Sequence, residues 1–298
     1  MFSRDALRID APQVVEGIET AIRAEVFRDL RRRGAVVGVS GGVDSSVVAA
    51  LCARAFGPEK VVGLLMPDQD SSVDASRLGR MLAEELGIRI IVEDLTEALT
   101  ALGCYDRQLE AIQTVFPDYG NGWRFKLVLP PLLEGDRLNM VRLTVAEPGG
   151  NERSSRMPPA AYHQIVAATN FKQRTRTMME YYHADRLHFA VAGTPNRLEY
   201  DQGFFVKQGD GAADFKPIVH LYKTQVYELA AYLEVPQEIR ERPPTTDTFS
   251  LSQTQEEFYF ALPYRETELC LWALDHAVPA HEAGRVVGLS TEQVERVY

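Results

Sequence analysis

The amino-acid sequence predicts an α/β protein built on a doubly wound parallel sheet. Three observations carry that expectation. Short β-branched blocks alternate with stretches of helical period, a Gly/Ser-rich turn joins the first block to the helix after it, and the alternation resumes beyond a turn-rich interruption.

The elements follow in chain order. From Pro12 to Leu30 apolar residues fall at Val15, Ile18, Ile22, Val26, Phe27 and Leu30, the spacing of an amphipathic helix, with Gly34 placed to end it. Ala35 to Val39 reads as a strand, "SSVVAALCARAF" as a helix, and Val61 to Met66 as a second strand. "ASRLGRMLAEELG" is then a helix ended by Gly87, and "IRIIVEDL" a third strand. Such alternation places helices on both faces of a parallel sheet. After about Gly103 the pattern breaks, and residues 104–169 read as an insertion in which "WRFKLVLP" and "RLNMVRLTV" are placed to pair as a hairpin. The alternation returns with a helix from Gln173 to His183, the strand "LHFAVAG", a loop to about Val219 and a helix from Tyr222 to Leu233. A hydroxyl-rich loop, "RPPTTDTFSLSQTQEEF", precedes a helical end. With no internal repeat and no low-complexity linker, residues 1–298 read as a single domain that carries the insertion.

Composition narrows the function. The formal charge of −10 repels a phosphate backbone, so nucleic acid is not an expected partner. No apolar run approaches the roughly 20 residues that cross a bilayer, and Asp5 and Asp10 sit where a secretion signal would be basic and then apolar, which points to a cytoplasmic protein. Cys52, Cys104 and Cys270 are isolated and lack the spacing of a metal or redox pair.

The turn "SGGVDSS" asks for an explanation. Where a strand feeds a helix through glycines, the first helical amides point outward unpaired and the helix dipole adds positive charge, which makes an anion site. Ser40, Ser45 and Ser46 add donors, and Asp44 belongs beside phosphates when a divalent cation lies between them. Alone, the same residues also describe a tight turn with Ser45 as a helix cap. A Walker A loop is excluded, because no Gly-Lys-Ser/Thr follows.

The run Ser40-Gly41-Gly42-Val43-Asp44-Ser45 resembles the pyrophosphate loop of the ATP pyrophosphatases, whose Rossmann-like sheet is of the adenine nucleotide alpha hydrolase type. Four further stretches resemble the ammonia-dependent NAD synthetases within that superfamily. "LLMPDQDSSVDASRLGRMLAEELGI" is similar to their second strand, adenosine-contacting loop and helix. Asn170, Lys172, Arg174 and Arg176 match an Asn-x-Lys-x-Arg-x-Arg helix. Gly193, Thr194, Glu199, Gly203, Phe205, Lys207, Gly209, Asp210 and Asp214 match the motif after the next strand, while Lys223 and Thr245 match a later lysine and hydroxyl.

The resemblance implies an AMP-forming amide ligase that adenylates a carboxylate with ATP and transfers ammonia to it. Its acid would be deamido-NAD, or another carboxylic acid in a specialised pathway. ATP would be held by Ser40, Gly41, Gly42, Val43, Asp44, Ser45, Ser46, Met66, Arg174, Thr194, Lys223 and Thr245. Asp44 and Glu199 would hold Mg²⁺. Asn170, Arg174, Lys207, Asp210 and Asp214 would face the acid or the ammonia, and Asp44, Glu199, Asp210 and Lys223 would carry the chemistry. A homodimer is implied as well. Only 39 residues precede the loop, too few for a glutaminase domain, so the nitrogen would come as free ammonia or from a separate glutaminase chain. The sequence departs from the family in its long 104–165 segment, and in Gln255 and Phe260, which stand where an acid and a glycine are usual.

Overall fold

The computed structural model of the chain describes residues 2–129, 141–243, 249–251 and 263–298. Helix α1 (Ala11–Arg23) is capped by Asp10, whose carboxylate accepts from the Gln13 amide at 3.1 Å. The single helix expected as far as Leu30 is not what forms. Beyond Arg23 the chain widens into a π-helical segment, Ala24–Asp29, in which the Leu30 amide reaches back to the Glu25 carbonyl. That change of period turns Phe27 and Leu30 off the buried stripe, leaving them 38% and 36% exposed. The reversal falls at Arg31, with φ 54°, and Gly34 leads into the sheet instead of ending the helix.

The first half continues with β1 (Ala35–Gly38), α2 (Val43–Phe56), β2 (Val61–Leu65), α3 (Val73–Leu86) and β3 (Arg89–Val92). Gly87 closes α3 in the left-handed region, as its position predicts. Next come α4 (Thr96–Ala101), α5 (Cys104–Gln113), β4 (Arg124–Val128), β5 (Arg142–Ala146) and β6 (Glu152–Arg156). The chain returns through α6 (Pro159–Leu187) and β7 (Ala190–Ala192), then α7 (Arg197–Asp201), α8 (Lys223–Tyr232) and α9 (Gln237–Glu241). Helices α10 (Tyr264–Asp275), α11 (Ala280–Val287) and α12 (Thr291–Val297) end it.

The main sheet is parallel throughout, in the order β3-β2-β1-β7. Alternate residues of a strand point to opposite faces, so Ala35 and Val37 pack with α1, α2, α3 and α8 while Val36, Val62, Leu64 and Val191 pack with Tyr181, Ala184 and Leu187 of α6. Burial on both faces explains why β1, β2 and β7 are unbroken apolar runs. Helix α2 is buried nearly all round, which its small residues Ala49, Ala50, Cys52 and Ala53 permit.

The region expected as an insertion holds more regular structure than its turns suggest. Strands β4 and β5 pair antiparallel with Phe125 opposite Val145, as expected of a hairpin, and their connection falls at 130–140, outside the described residues. A third strand, β6, pairs with β5. Its sequence "ERSSR" runs exposed, half-buried, exposed, with no apolar period to announce it. Helix α6 begins at Pro159, well before Gln173. One face of the small sheet forms a second core in which Phe125, Leu127, Leu143 and Val145 meet Ile112 of α5 and Ile165 of α6. A third core joins α10, α11 and α12 to Tyr222 and Leu7. Cys52, Cys104 and Cys270 are buried and unbridged, and burial pushes the Cys52 thiol far above its usual range.

Candidate active site

A cavity of about 440 Å³ opens at the carboxyl ends of β1 and β2, where open parallel sheets receive ligands. The Gly/Ser turn lies on its wall. Gly41 has φ +75°, and a Cβ there would stand 2.7 Å from the Ala75 carbonyl oxygen, so both conformation and packing demand glycine. Gly42 caps α2 in extended conformation with no side chain on the first-turn amides. These amides therefore present the anion-binding end of a well-buried helix. Ser40, Gly42, Val43, Asp44 and Ser45 line the cavity. The Ser40 and Ser45 hydroxyls touch each other at 3.2 Å, and Ser45 also donates to the Gly42 carbonyl.

Two expected loop residues stand elsewhere. Ser46 is fully buried and donates its hydroxyl to the Gly42 carbonyl at 2.8 Å, because one helical turn brings it back over that oxygen. Gly41 shapes the turn from behind and is not part of the lining.

Asp44, Glu199 and Lys223 meet although 155 and 24 residues separate them along the chain. The Lys223 ammonium, only 2% exposed, is hydrogen-bonded to the Asp44 carboxylate. Glu199 is set by a capping box at the start of α7, in which Asn196 accepts from the Glu199 amide and Glu199 accepts from the Asn196 amide, both at 3.1 Å. The Asn196 side-chain amide also donates to Asp44 at 3.3 Å. Burial, with Asp44 nearby, pushes the Glu199 carboxyl up to about 7. Burial works against the charge of Lys223, yet the Asp44 and Glu199 carboxylates hold its ammonium above the usual range. Asn196 went unread in the sequence, where Asn-x-x-Glu before a short helix was the available signal.

Helix α6 faces the cavity with Tyr162, Val166, Asn170, Gln173, Thr177 and Glu180, a stripe at three- and four-residue spacing. Arg174 lies off that stripe. It is exposed and donates to the carbonyl of Lys207, itself exposed, so neither lines the cavity. Asp214 is also outside the lining, because its carboxylate accepts from the Val191 amide at 2.8 Å and so ties the loop to β7. Met66, Asn170, Thr194 and Asp210 do line it. Thr245, like Gln255 and Phe260, falls outside the described residues.

Two features escaped the sequence reading. On one side of α6, Lys172 is 1% exposed and pairs with Asp70 at 2.6 Å and Asp68 at 3.3 Å, while Arg176 meets Asp68 at 2.8 Å. Two cations balance two carboxylates, fastening the loop after β2 to α6 across about 100 residues of chain. On the cavity side, Glu180 packs against Gly38, where a Cβ would lie 2.2 Å from its carboxyl oxygen. Burial, then the like charge of Asp210, pushes Glu180 up to about 8, against the pull of Arg176. Burial also raises Asp210. Glu180 therefore carries little of its formal charge at neutral pH, and the cavity accepts an anion more readily than a count of acids suggests.

The donor set suits a magnesium–phosphate partner. Asp44 and Glu199 supply hard oxygens beside an uncapped helix N-terminus that lines the cavity, and an ammonium already lies against one of them. Mg²⁺ is commonly held by one or two carboxylates together with substrate phosphates. Among the described residues no group of three or more His, Cys, Asp or Glu forms a metal cage.

The sequence pattern of the NAD synthase family matches residues 14–114 and 151–298, so it takes in both α5 and the C-terminal helices and passes over 115–150. An NH(3)-dependent NAD(+) synthetase from Mesorhizobium japonicum is 63% identical over 292 residues, covering 98% of this chain and 92% of its own. One from Rhizobium meliloti is 56% identical over 298 residues, covering 100% and 89%. Among solved structures, an NMN synthetase from Francisella tularensis aligns with a TM-score of 0.65 at 22% identity, over 97% of this chain and 92% of that one. An NH3-dependent NAD synthetase from Campylobacter jejuni aligns with a TM-score of 0.62 at 22% identity, over 97% and 92%. These two likenesses bear on the fold.

Proposed function

Because the chain belongs to the NAD synthase family, we propose that it is an ATP-dependent, AMP-forming ligase that converts deamido-NAD to NAD with ammonia. The observation that carries the reading is the meeting of the uncapped α2 N-terminus with Asp44, Glu199 and Lys223 in the lining of one cavity. A carboxylate is a poor electrophile, so its oxygen first attacks the α-phosphorus of ATP and pyrophosphate leaves. Ammonia then adds to the acyl carbon of the adenylate, loses a proton, and AMP departs to leave the amide.

The protein's share is charge management. The amides of Val43, Asp44 and Ser45 and the hydroxyls of Ser40 and Ser45 receive the departing pyrophosphate. Lys223 adds a buried positive charge, and Thr194 a hydroxyl. Asp44 and Glu199 would hold Mg²⁺, which neutralises charge on the leaving phosphates when bound. Asn170 and Asp210, from the cavity lining, are assigned to the acid and the ammonia.

The same reading takes the chain as one domain, cytoplasmic and homodimeric. Among the described residues no helix is long and apolar enough to cross a membrane. Met178 and Tyr182, one turn apart on α6 and 60% and 57% exposed, offer an apolar surface to a second copy.

The test is direct. Purified protein given ATP, Mg²⁺, ammonium and deamido-NAD should yield NAD by mass together with equimolar pyrophosphate, and chelation of Mg²⁺ should stop both. Asp44→Ala and Glu199→Ala should each lower pyrophosphate release by at least ~100-fold with circular dichroism unchanged. Unchanged turnover in either variant removes the metal assignment, and conversion of other acids but not deamido-NAD removes the substrate.

A further inference from the structure

Lys223 is the first residue of α8, and the structure shows what fixes it there. Glu268 lies on α10 with its side chain fully buried. One carboxylate oxygen accepts from the Lys223 amide at 2.5 Å, and the other accepts from the Thr224 amide at 3.1 Å and the Thr224 hydroxyl at 2.6 Å. Three donors converge on two oxygens, an arrangement that only an acceptor-only carboxylate satisfies in full. Four residues earlier on the same face of α10, the ring of Tyr264 stands with its centroid 5.8 Å from the Lys223 ammonium. Helix α10 thus addresses Lys223 twice, at its backbone and at its charge.

The same helix reaches the other carboxylate of the site. Asp275, near the end of α10, is paired with Arg197, the first residue of α7, and α7 carries Glu199. A brace between α7 and α8 is therefore built into a part of the chain for which the sequence reading found no role.

We propose that Glu268 is a positioning residue for the ligase reaction: by holding the first turn of α8 it aims Lys223 at Asp44 and the phosphates. The inference rests on the phosphate role given to Lys223 above. Its physical basis is that the Lys223 amide is one of the donors a helix start leaves without an internal partner. Bonding that donor to a buried charge on another helix fixes the Cα–Cβ direction of the residue, and with it the reach of a side chain that must end beside Asp44.

The experiment is a double-mutant cycle on the full chain. In Glu268→Gln one oxygen becomes an NH₂ that must face either the Lys223 or the Thr224 amide, donor against donor. The affinity for Mg·ATP by calorimetry, and kcat for pyrophosphate release, are measured for the wild type, Glu268→Gln, Lys223→Met and the double variant. Glu268→Gln is expected to lower kcat or nucleotide affinity by about 10- to 100-fold, as loss of an outer hydrogen-bond partner does at metal sites. In the Lys223→Met background the further loss should be less than ~2-fold, since the residue it aims is gone. The urea midpoint should fall equally in both backgrounds. Equal functional losses in the two backgrounds, or full function of Glu268→Gln, overturn the proposal and leave Glu268 structural. Should Glu268→Gln not fold, Thr224→Val removes only the hydroxyl bond and carries the same cycle, with additivity again the refuting result. The affinity arm does not depend on the acid, so a wild type that binds Mg·ATP and makes no NAD defeats the substrate reading alone.

Discussion

Replacing Glu180 by Gln should stabilise the protein above neutral pH and leave it unchanged below about pH 5. The cavity wall holds this carboxyl at about 8, against 4.5 in the unfolded chain, through burial first and the neighbouring Asp210 second, with Arg176 opposing. A carboxyl raised in this way makes the native state bind the extra proton. Its contribution to stability is complete below 4.5 and is lost as pH rises towards about 8. Each pH unit of that interval is worth about 1.4 kcal/mol, so the full loss is on the order of 5 kcal/mol. Water at the cavity mouth screens part of the charge, which leaves an expected difference of about 2 to 5 kcal/mol between wild type and Glu180→Gln at about pH 9. Glu199 and Asp210, raised by the same burial, lend both proteins a common slope in the same direction, and comparing the two proteins cancels it. Urea unfolding of both proteins in steps from about pH 5 to about pH 9 reads the difference directly. Parallel curves, or a wild type that gains on the variant as pH rises, would refute the claim that this cavity keeps a carboxyl neutral.

Two further outcomes follow from the packing. Gly41→Ala should weaken Mg·ATP binding and lower unfolding stability by about 1 to 3 kcal/mol, because φ is +75° and the added carbon meets the Ala75 carbonyl at 2.7 Å; calorimetry and urea unfolding check the two arms. Lys172→Met should destabilise by about 3 kcal/mol, the low end for breaking a buried pair, since Arg176 still meets Asp68. A urea midpoint within error of wild type would show that the Lys172 pair contributes no net stability.

The parallel sheet, its helices and the phosphate turn were legible in the sequence because each is a local signal. Apolar blocks such as "AVVGV" and "VVGLL" need no partner to be read, and "SGGVDSS" states its own backbone demands through Gly41 and Gly42. Asp44, Glu199 and Lys223 follow from the family resemblance of the motifs that carry them, but nothing in their order reveals that the ammonium rests on Asp44. Strand β6 stayed hidden because "ERSSR" buries little, and the widened turn after Arg23 because period alone does not foresee a change of period. Glu180, the Lys172–Asp68–Asp70 network and the brace from Glu268 were decided by tertiary structure alone. Each depends on which distant groups share a dry space, since burial and long-range pairing set a charge's energy, and a linear pattern records neither.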